Sequence, residues 1–390
     1  MRVGARASDA TVTFGGRAGS PRGHVLVVDD SAVAREVMSV VLSREFTVTT
    51  AADPLIAIDK IEKACPDVIL LDLEMPRMHG LTFLRKIREE TSIPVVICSS
   101  LLGRGTDVAL RALEDGAVDL VAKPPLGVRG FLEDAEVLLL ETVRGACQAR
   151  TRRPRATTMK AFPPIDAASM SQLHAPTAAL PRPLPKGLVT DAIIALGAST
   201  GGTEALRTIL ERLPGDAPGI VVVQHMPEAF TAAFARRLDH CCRMMVKEAA
   251  TGDEVGAGRV LVAPGNRHLV VHRQGRRYFA EVTQGPLVSR HRPSVDVLFR
   301  SVAAAAGPNA VGALLTGMGA DGAEGLLEMK RAGARTIAQD EPTSVVFGMP
   351  KEAIARRAVD QVAPLGRIPH LLLVGTGALT APLAPTATLG

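Results

Sequence analysis

The sequence predicts two α/β domains, each built on a parallel sheet, and three observations carry that expectation. Short apolar runs alternate with segments of helical apolar spacing over residues 23–144, and again over 189–376. Between them, residues 145–188 lose both patterns and gather Pro154, Pro163, Pro164, Pro176, Pro181, Pro183 and Pro185. Acids, hydroxyls, a lysine and glycines stand directly after the apolar runs, where an open parallel sheet places its functional groups.

In the first domain the strand-like runs are His24–Val28, Thr47–Thr50, Val68–Leu71, Val95–Cys98 and Val118–Val121. Val33, Val37, Val40 and Val41 share a helical face after the first run, and Leu81, Leu84 and Ile87 do so after the third. A last helix is expected over about 128–143. The result is a doubly wound, five-stranded parallel sheet of flavodoxin-like type. In the second domain the runs are 192–196, 219–223, 260–262, 269–272, 278–282, 311–315 and 336–338, which predict a mostly parallel sheet. Residues 1–22 read as a disordered extension, 145–188 as a semi-extended linker and 377–390 as a tail.

Composition narrows the function classes. The chain has 390 residues, 47% hydrophobic and 22% charged, enough to bury two or three cores. With one Tyr, no Trp and ten Phe, it lacks the stacking platforms of a single-stranded nucleic-acid binder. The net charge of +5 belongs to the extension and the linker, so the globular parts are net acidic and no nucleic-acid partner is expected. Five cysteines without a C-x-x-C pair read as thiols of a reducing cytosol; Cys241 and Cys242 are expected to be buried. Tyr278 and Phe279 are expected in the core. No run is long and apolar enough for membrane insertion, so a cytoplasmic location is expected.

Asp29 and Asp30 follow the first run, Asp72 ends the third, Ser99 and Ser100 follow the fourth, and Lys123 follows the fifth. Any one of these acids alone reads as a helix cap. The ordered set at strand ends reads as a hard-oxygen site for Mg²⁺ and a phosphoryl group, with an aspartate able to form an acyl phosphate and a lysine to neutralise it. Residues 23 to about 143 resemble a response-regulator receiver domain, matching at VVDDS, LLDLEMPRMHG, SS and AKP. That resemblance implies phosphorylation of Asp72 by a histidine kinase, Mg²⁺ held by Asp29, Asp30 and Asp72, and phosphoryl contacts from Ser99 and Lys123. Leu120 stands where the family often has an aromatic switch residue.

The second domain opens with Gly197-Ala198-Ser199-Thr200-Gly201-Gly202 between strand and helix, a G-x-S-x-G elbow or, read alone, an anion-binding loop. His225 ends the next run, and Asp321 lies in the loop Thr316–Gly322. Three strand ends on one rim would join serine, histidine and aspartate as nucleophile, base and orienter, with backbone amides near Met318 serving an oxyanion. The order Ser…His…Asp differs from that of α/β-hydrolases. The polar run Ser289–Ser294 reads equally as a substrate-facing loop or as a helix entry capped by Ser294.

Residues 191 to about 375 resemble the catalytic domain of the chemotaxis protein-glutamate methylesterases (CheB family), matching at GASTGG, VVQHMP, VLVAPGNRHL, HRPSVDVLF, LLTGMGADGAEGL and AQDEPTSVVFGMPKEA. The resemblance implies a Ser199–His225–Asp321 triad flanked by Thr200 and Met318. It implies hydrolysis of glutamyl methyl esters on chemoreceptors with release of methanol, deamidation of receptor glutamines, and no cofactor for the hydrolysis. A receiver-regulated esterase acting on some other substrate is the alternative. A DNA-binding regulator would need a recognition helix after the receiver, and the second domain holds the triad pattern instead.

Overall fold

The computed structural model describes residues 23–75, 79–99, 104–123, 129–149 and 191–377. The expected extension, most of the linker, almost all of the tail, and Ser100 lie outside the described residues.

The first sheet takes the order β2-β1-β3-β4-β5, with β1 (His24–Val28), β2 (Thr47–Ala51), β3 (Val68–Asp72), β4 (Val95–Ser99) and β5 (Asp119–Ala122) all parallel. β1, β3 and β4 are continuous apolar runs because both faces are covered. Helices α1 (Ala32–Leu42), α2 (Pro54–Lys63), α3 (Gly80–Glu90), α4 (Arg104–Glu114) and α5 (Arg129–Gln148) supply the cover. Ser31 caps α1, and Asp53 caps α2 ahead of a proline at its first position. Strand order reverses between β1 and β3, so the carboxyl ends of these two strands border a crevice.

The second sheet has seven parallel strands in the order β14-β13-β12-β6-β7-β9-β8. Its members are β6 (Ile193–Ala198), β7 (Gly219–Gln224), β8 (Met245–Glu248), β9 (Arg259–Val262), β12 (Ala310–Leu314), β13 (Arg335–Gln339) and β14 (Gln361–Ala363). β10 (His268–Gln274) and β11 (Arg277–Thr283) form a separate antiparallel hairpin, turning at Gly275 with φ 62°. Helices α6 (Gly202–Leu210), α7 (Glu228–Cys241), α8 (Val295–Ala306), α9 (Ala323–Arg331), α10 (Met349–Ala355) and α11 (Ile368–Gly375) complete the domain. β6 lies between β7 and β12, so the carboxyl ends of these three central strands share one rim.

Sequence patterning misses the two outermost strands, β8 and β14. They have four and three residues and face solvent along part of their length, which leaves too few apolar positions to make a pattern. Helix α5 runs five residues past its expected end, because Val143 and Ala146 continue its buried face into the core of the first domain. Cys242 is buried as expected but Cys241 is exposed, since adjacent residues at the end of a helix point about 100° apart. Tyr278 is buried and donates from its hydroxyl to the Asp191 carbonyl at 2.8 Å, whereas Phe279 is only half-buried, because alternate residues of β11 face opposite sides. Among the described residues no helix is long and apolar enough to cross a membrane.

The two domains touch. Helices α4 and α7 pack together, with Leu110, Leu113, Phe234 and Leu238 lining the cleft between them and an Arg237–Glu114 ion pair (2.6 Å) beside it. The Gly201 amide donates to the Val118 carbonyl at 3.2 Å, and Val345 packs against the receiver core.

Candidate active site

β6 and β7 pair in register to Ala198 and Gln224, so Ser199 and His225 are the next residues on neighbouring strands. The His225 amide donates to the Ala198 carbonyl at 3.1 Å, and the Ser199 amide to the Thr316 carbonyl at 3.0 Å. The elbow depends on its glycines. Gly201 has φ 75°, and a Cβ there would lie 2.5 Å from Val345; a Cβ on Gly317 would lie 2.7 Å from that of Ser199. Buried Gln224 closes the turn by donating from Nε2 to the Ser199 and His225 carbonyls, both at 3.0 Å. Sequence reasoning quoted Gln224 within a motif and gave it no task. No periodicity marks it, and only its position beside the histidine pointed to it.

Asp321, 1% exposed, accepts from four donors. They are His225 Nε2 (2.8 Å), the Ser294 hydroxyl (2.7 Å) and the amides of Val295 (2.7 Å) and Asp296 (3.1 Å). Burial by itself would raise its pKa, but the hydrogen bonds from His225 and the Ser294 hydroxyl hold it below the ordinary carboxylate value. A charged Asp321 needs a proton on Nε2, which leaves the lone pair of His225 on Nδ1. That nitrogen is buried and has no hydrogen-bond partner among the described residues. An imidazole so arranged can take a proton from a hydroxyl placed beside Nδ1.

His291 stacks on His225 with ring centroids 3.7 Å apart and planes 15° from parallel. Burial, and then the neighbouring His225, push its pKa down to about 3, so it is neutral. The polar run 289–294 therefore contains both a helix cap and two residues at the site, His291 and Ser294.

Thr200 is buried beside Ser199 and faces Asp119 of β5, and half-buried Met318 lies on the same side. Both meet the receiver. A Cβ on Gly145 of α5 would stand 3.0 Å from Thr200 Oγ1 and 3.4 Å from Met318 Cβ. One turn earlier, Glu141 reaches Arg290 (3.4 Å) and His291 (3.5 Å). Burial pushes Asp119 up to about 6, against the hydrogen bond from Thr200. Asp119, Glu141 and Gly145 carry no motif of their own, and only the packing of the domains reveals them, whereas His291 opens the HRPSVDVLF stretch and lies in the polar run that reads as a substrate-facing loop.

The second constellation lies in the receiver crevice. Oxygens of Asp29, Asp30 and Asp72 come within 4.8 Å of one another, with Asp29 and Asp72 buried and Asp30 exposed. Lys123 Nζ is 2.8 Å from Asp29 Oδ2 and 2.9 Å from Asp72 Oδ2, oxygens that make no further hydrogen bond among the described residues. Burial raises the pKa of Asp72, with Asp29 adding repulsion and Lys123 opposing both. Burial would lower that of Lys123, but its two carboxylate partners outweigh this and raise it. Ser99 is buried at the end of β4, where its carbonyl accepts from the Lys123 amide at 2.9 Å. Three clustered carboxylates, two with underused buried oxygens, fit a hard cation that keeps some of its water. Leu120 is buried in the sheet, in the place expected for an aromatic switch.

Comparison with known proteins covers both domains. Residues 194–372 match the family model of the CheB methylesterase and residues 25–127 that of the response regulator receiver domain. A protein-glutamate methylesterase/protein-glutamine glutaminase of Anaeromyxobacter dehalogenans is 57% identical over 90% of this chain and 95% of its own. The chain belongs to the CheB methylesterase family. A second relative of the same name, from Xanthomonas campestris, is 55% identical over 87% of this chain and 97% of its own. The crystal structure of the Thermotoga maritima CheB methylesterase catalytic domain is 40% identical, covers 47% of this chain and 97% of its own, and has a TM-score of 0.46.

Proposed function

We propose that this member of the CheB family is a phosphorylation-activated hydrolase of glutamyl methyl esters, acting through Ser199, His225 and Asp321. The observation that carries the reading is the buried, charged Asp321 bonded to Nε2 of His225, with the other ring nitrogen unpartnered at the strand end beside Ser199. His225 Nδ1 takes the Ser199 proton as Oγ attacks the ester carbonyl. Asp321 holds the tautomer and stabilises the imidazolium. The imidazolium returns the proton to the departing methoxide, which leaves as methanol, and water then hydrolyses the acyl-enzyme by the same route. A glutamine side chain follows the same course with ammonia as leaving group, so one site serves deamidation as well. Thr200 and Met318 border the bound carbonyl, and backbone amides near Met318 are the candidates for oxyanion donors.

The substrates are chemoreceptor glutamates, the phosphodonor is a histidine kinase, and the enzyme works in the cytoplasm. Asp72 accepts the phosphoryl group, while Ser99 and Lys123 contact it. Asp29, Asp30 and Asp72 would hold Mg²⁺, which when bound offsets the negative charge of the phosphoryl oxygens. The unphosphorylated receiver covers the rim through Asp119, Glu141 and Gly145, and phosphorylation biases it away.

The test is methanol release from membranes carrying methylated receptors, with and without a small phosphodonor. Release by wild type, stimulated by the phosphodonor and lost in Ser199→Ala, is expected. Near-normal release by Ser199→Ala would remove the triad, and hydrolysis of model esters without any release from receptors would favour the other substrate class.

A further inference from the structure

Asp321 sits on the loop that leads into α9, between Gly319 and Gly322 with φ 87° and 89°. Three of the four donors to its carboxylate come from the start of α8. Val295 and Asp296 donate amides from the first turn, and Ser294 donates its hydroxyl.

Ser294 differs from an ordinary N-cap. Its hydroxyl lies 3.4 Å from the Val297 amide it would cap but 2.7 Å from Asp321 Oδ1, so the shorter bond goes to the carboxylate. The residue is wholly buried and is itself anchored. Its amide donates to His268 Nδ1 at 3.2 Å, and His268 Nε2 donates to the Pro286 carbonyl at 2.9 Å, which fixes that ring's tautomer. Oδ1 thus takes Ser294 and Asp296, while Oδ2 takes Val295 and His225. With Oδ1 tied down, Oδ2 cannot rotate away from the imidazole.

We infer that Ser294 is a positioning residue for the hydrolytic reaction: its hydroxyl orients Asp321 and draws off part of its charge, and through Asp321 it sets the orientation and basicity of His225. The inference rests on the triad reading. A neutral donor removed from a carboxylate leaves more charge facing His225, so the imidazole keeps its proton to higher pH. The same pair is faced by His291, stacked on His225, by Asp296 beside Asp321, and by Asp119 and Glu141 from the receiver. Measuring every variant in the full chain with saturating phosphodonor puts the receiver in the same position for all of them.

The experiment compares Ser294→Ala, Ser294→Gly and Ser294→Thr in methanol release and thermal melting. Glycine as N-cap costs only a few tenths of a kcal/mol, so it removes the hydroxyl while nearly sparing the cap. Loss of a hydrogen bond to a charged group predicts a fall in kcat of roughly 10- to 100-fold in Ala and Gly alike, with KM unchanged. The acid limb of the kcat/KM profile should move up by about half to one pH unit, and threonine should restore both kcat and the profile. A purely structural cap would give activity that follows melting temperature and an unmoved pH profile. That pattern, or wild-type kcat in Ser294→Ala while Ser199→Ala is inactive, would overturn the inference and leave the triad standing. Activity in Ser199→Ala would remove the triad itself.

Discussion

Gly145→Leu isolates the receiver's grip on the catalytic rim. In the closed arrangement the first added carbon would stand 3.0 Å from Thr200 Oγ1 and 3.4 Å from Met318 Cβ, and three further carbons must enter the same space. Thr200 is buried and its carbonyl accepts from the Thr316 hydroxyl at 3.0 Å, which holds it from behind, so α5 is the element that gives way. Within α5 itself the change is favourable, by roughly 0.8 kcal/mol of helix propensity. Overpacking of this kind costs about 1–3 kcal/mol, charged here against docking and not against folding. Each ~1.4 kcal/mol is tenfold, so the undocked population should rise about 5- to 150-fold, up to full release. Methanol release by unphosphorylated enzyme should rise by that factor, the phosphodonor should add correspondingly less, and receiver melting should hold or increase. Unchanged basal activity in a normally folded Gly145→Leu protein would refute the idea that α5 blocks the rim.

Asp321→Asn should fold yet lose about 10⁴-fold in kcat, because the amide favours the wrong tautomer of His225; titrating release across pH would show no recovery. Mg²⁺ at ten times its Kd should stabilise the receiver by about 1.4 kcal/mol, or roughly 5 °C of melting, and Asp30→Asn should abolish most of that response in calorimetry. Asp119 is raised to about 6 in the docked state, so its contribution to docking is present in full below its ordinary range and is lost as pH rises through about 6. Asp119→Asn should therefore dock more tightly at pH 7–8 and show lower basal release than wild type, with the gap closing toward pH 5; a gap independent of pH would contradict that sign.

The sequence by itself determined the chemistry-bearing residues and their local setting. Asp29, Asp72, Ser199 and His225 each follow or end an apolar run, and in a parallel sheet every such position falls on the carboxyl rim, so one-dimensional order translates directly into a shared edge. Glycine spacing around Ser199 and Asp321 was equally legible, because only glycine tolerates those conformations and close approaches. The tertiary structure alone decided which strand ends become neighbours. Placing β6 between β7 and β12 joins residues 199, 225 and 321. It also decided the ring nitrogen of His225 that meets Asp321, the Ser294 hydroxyl at Oδ1 and the stacking of His291. Least visible in the sequence was the contact of Asp119, Glu141 and Gly145 with the rim. Those residues lie 55 to 173 positions from their partners, and a docking interface leaves no periodicity along the chain.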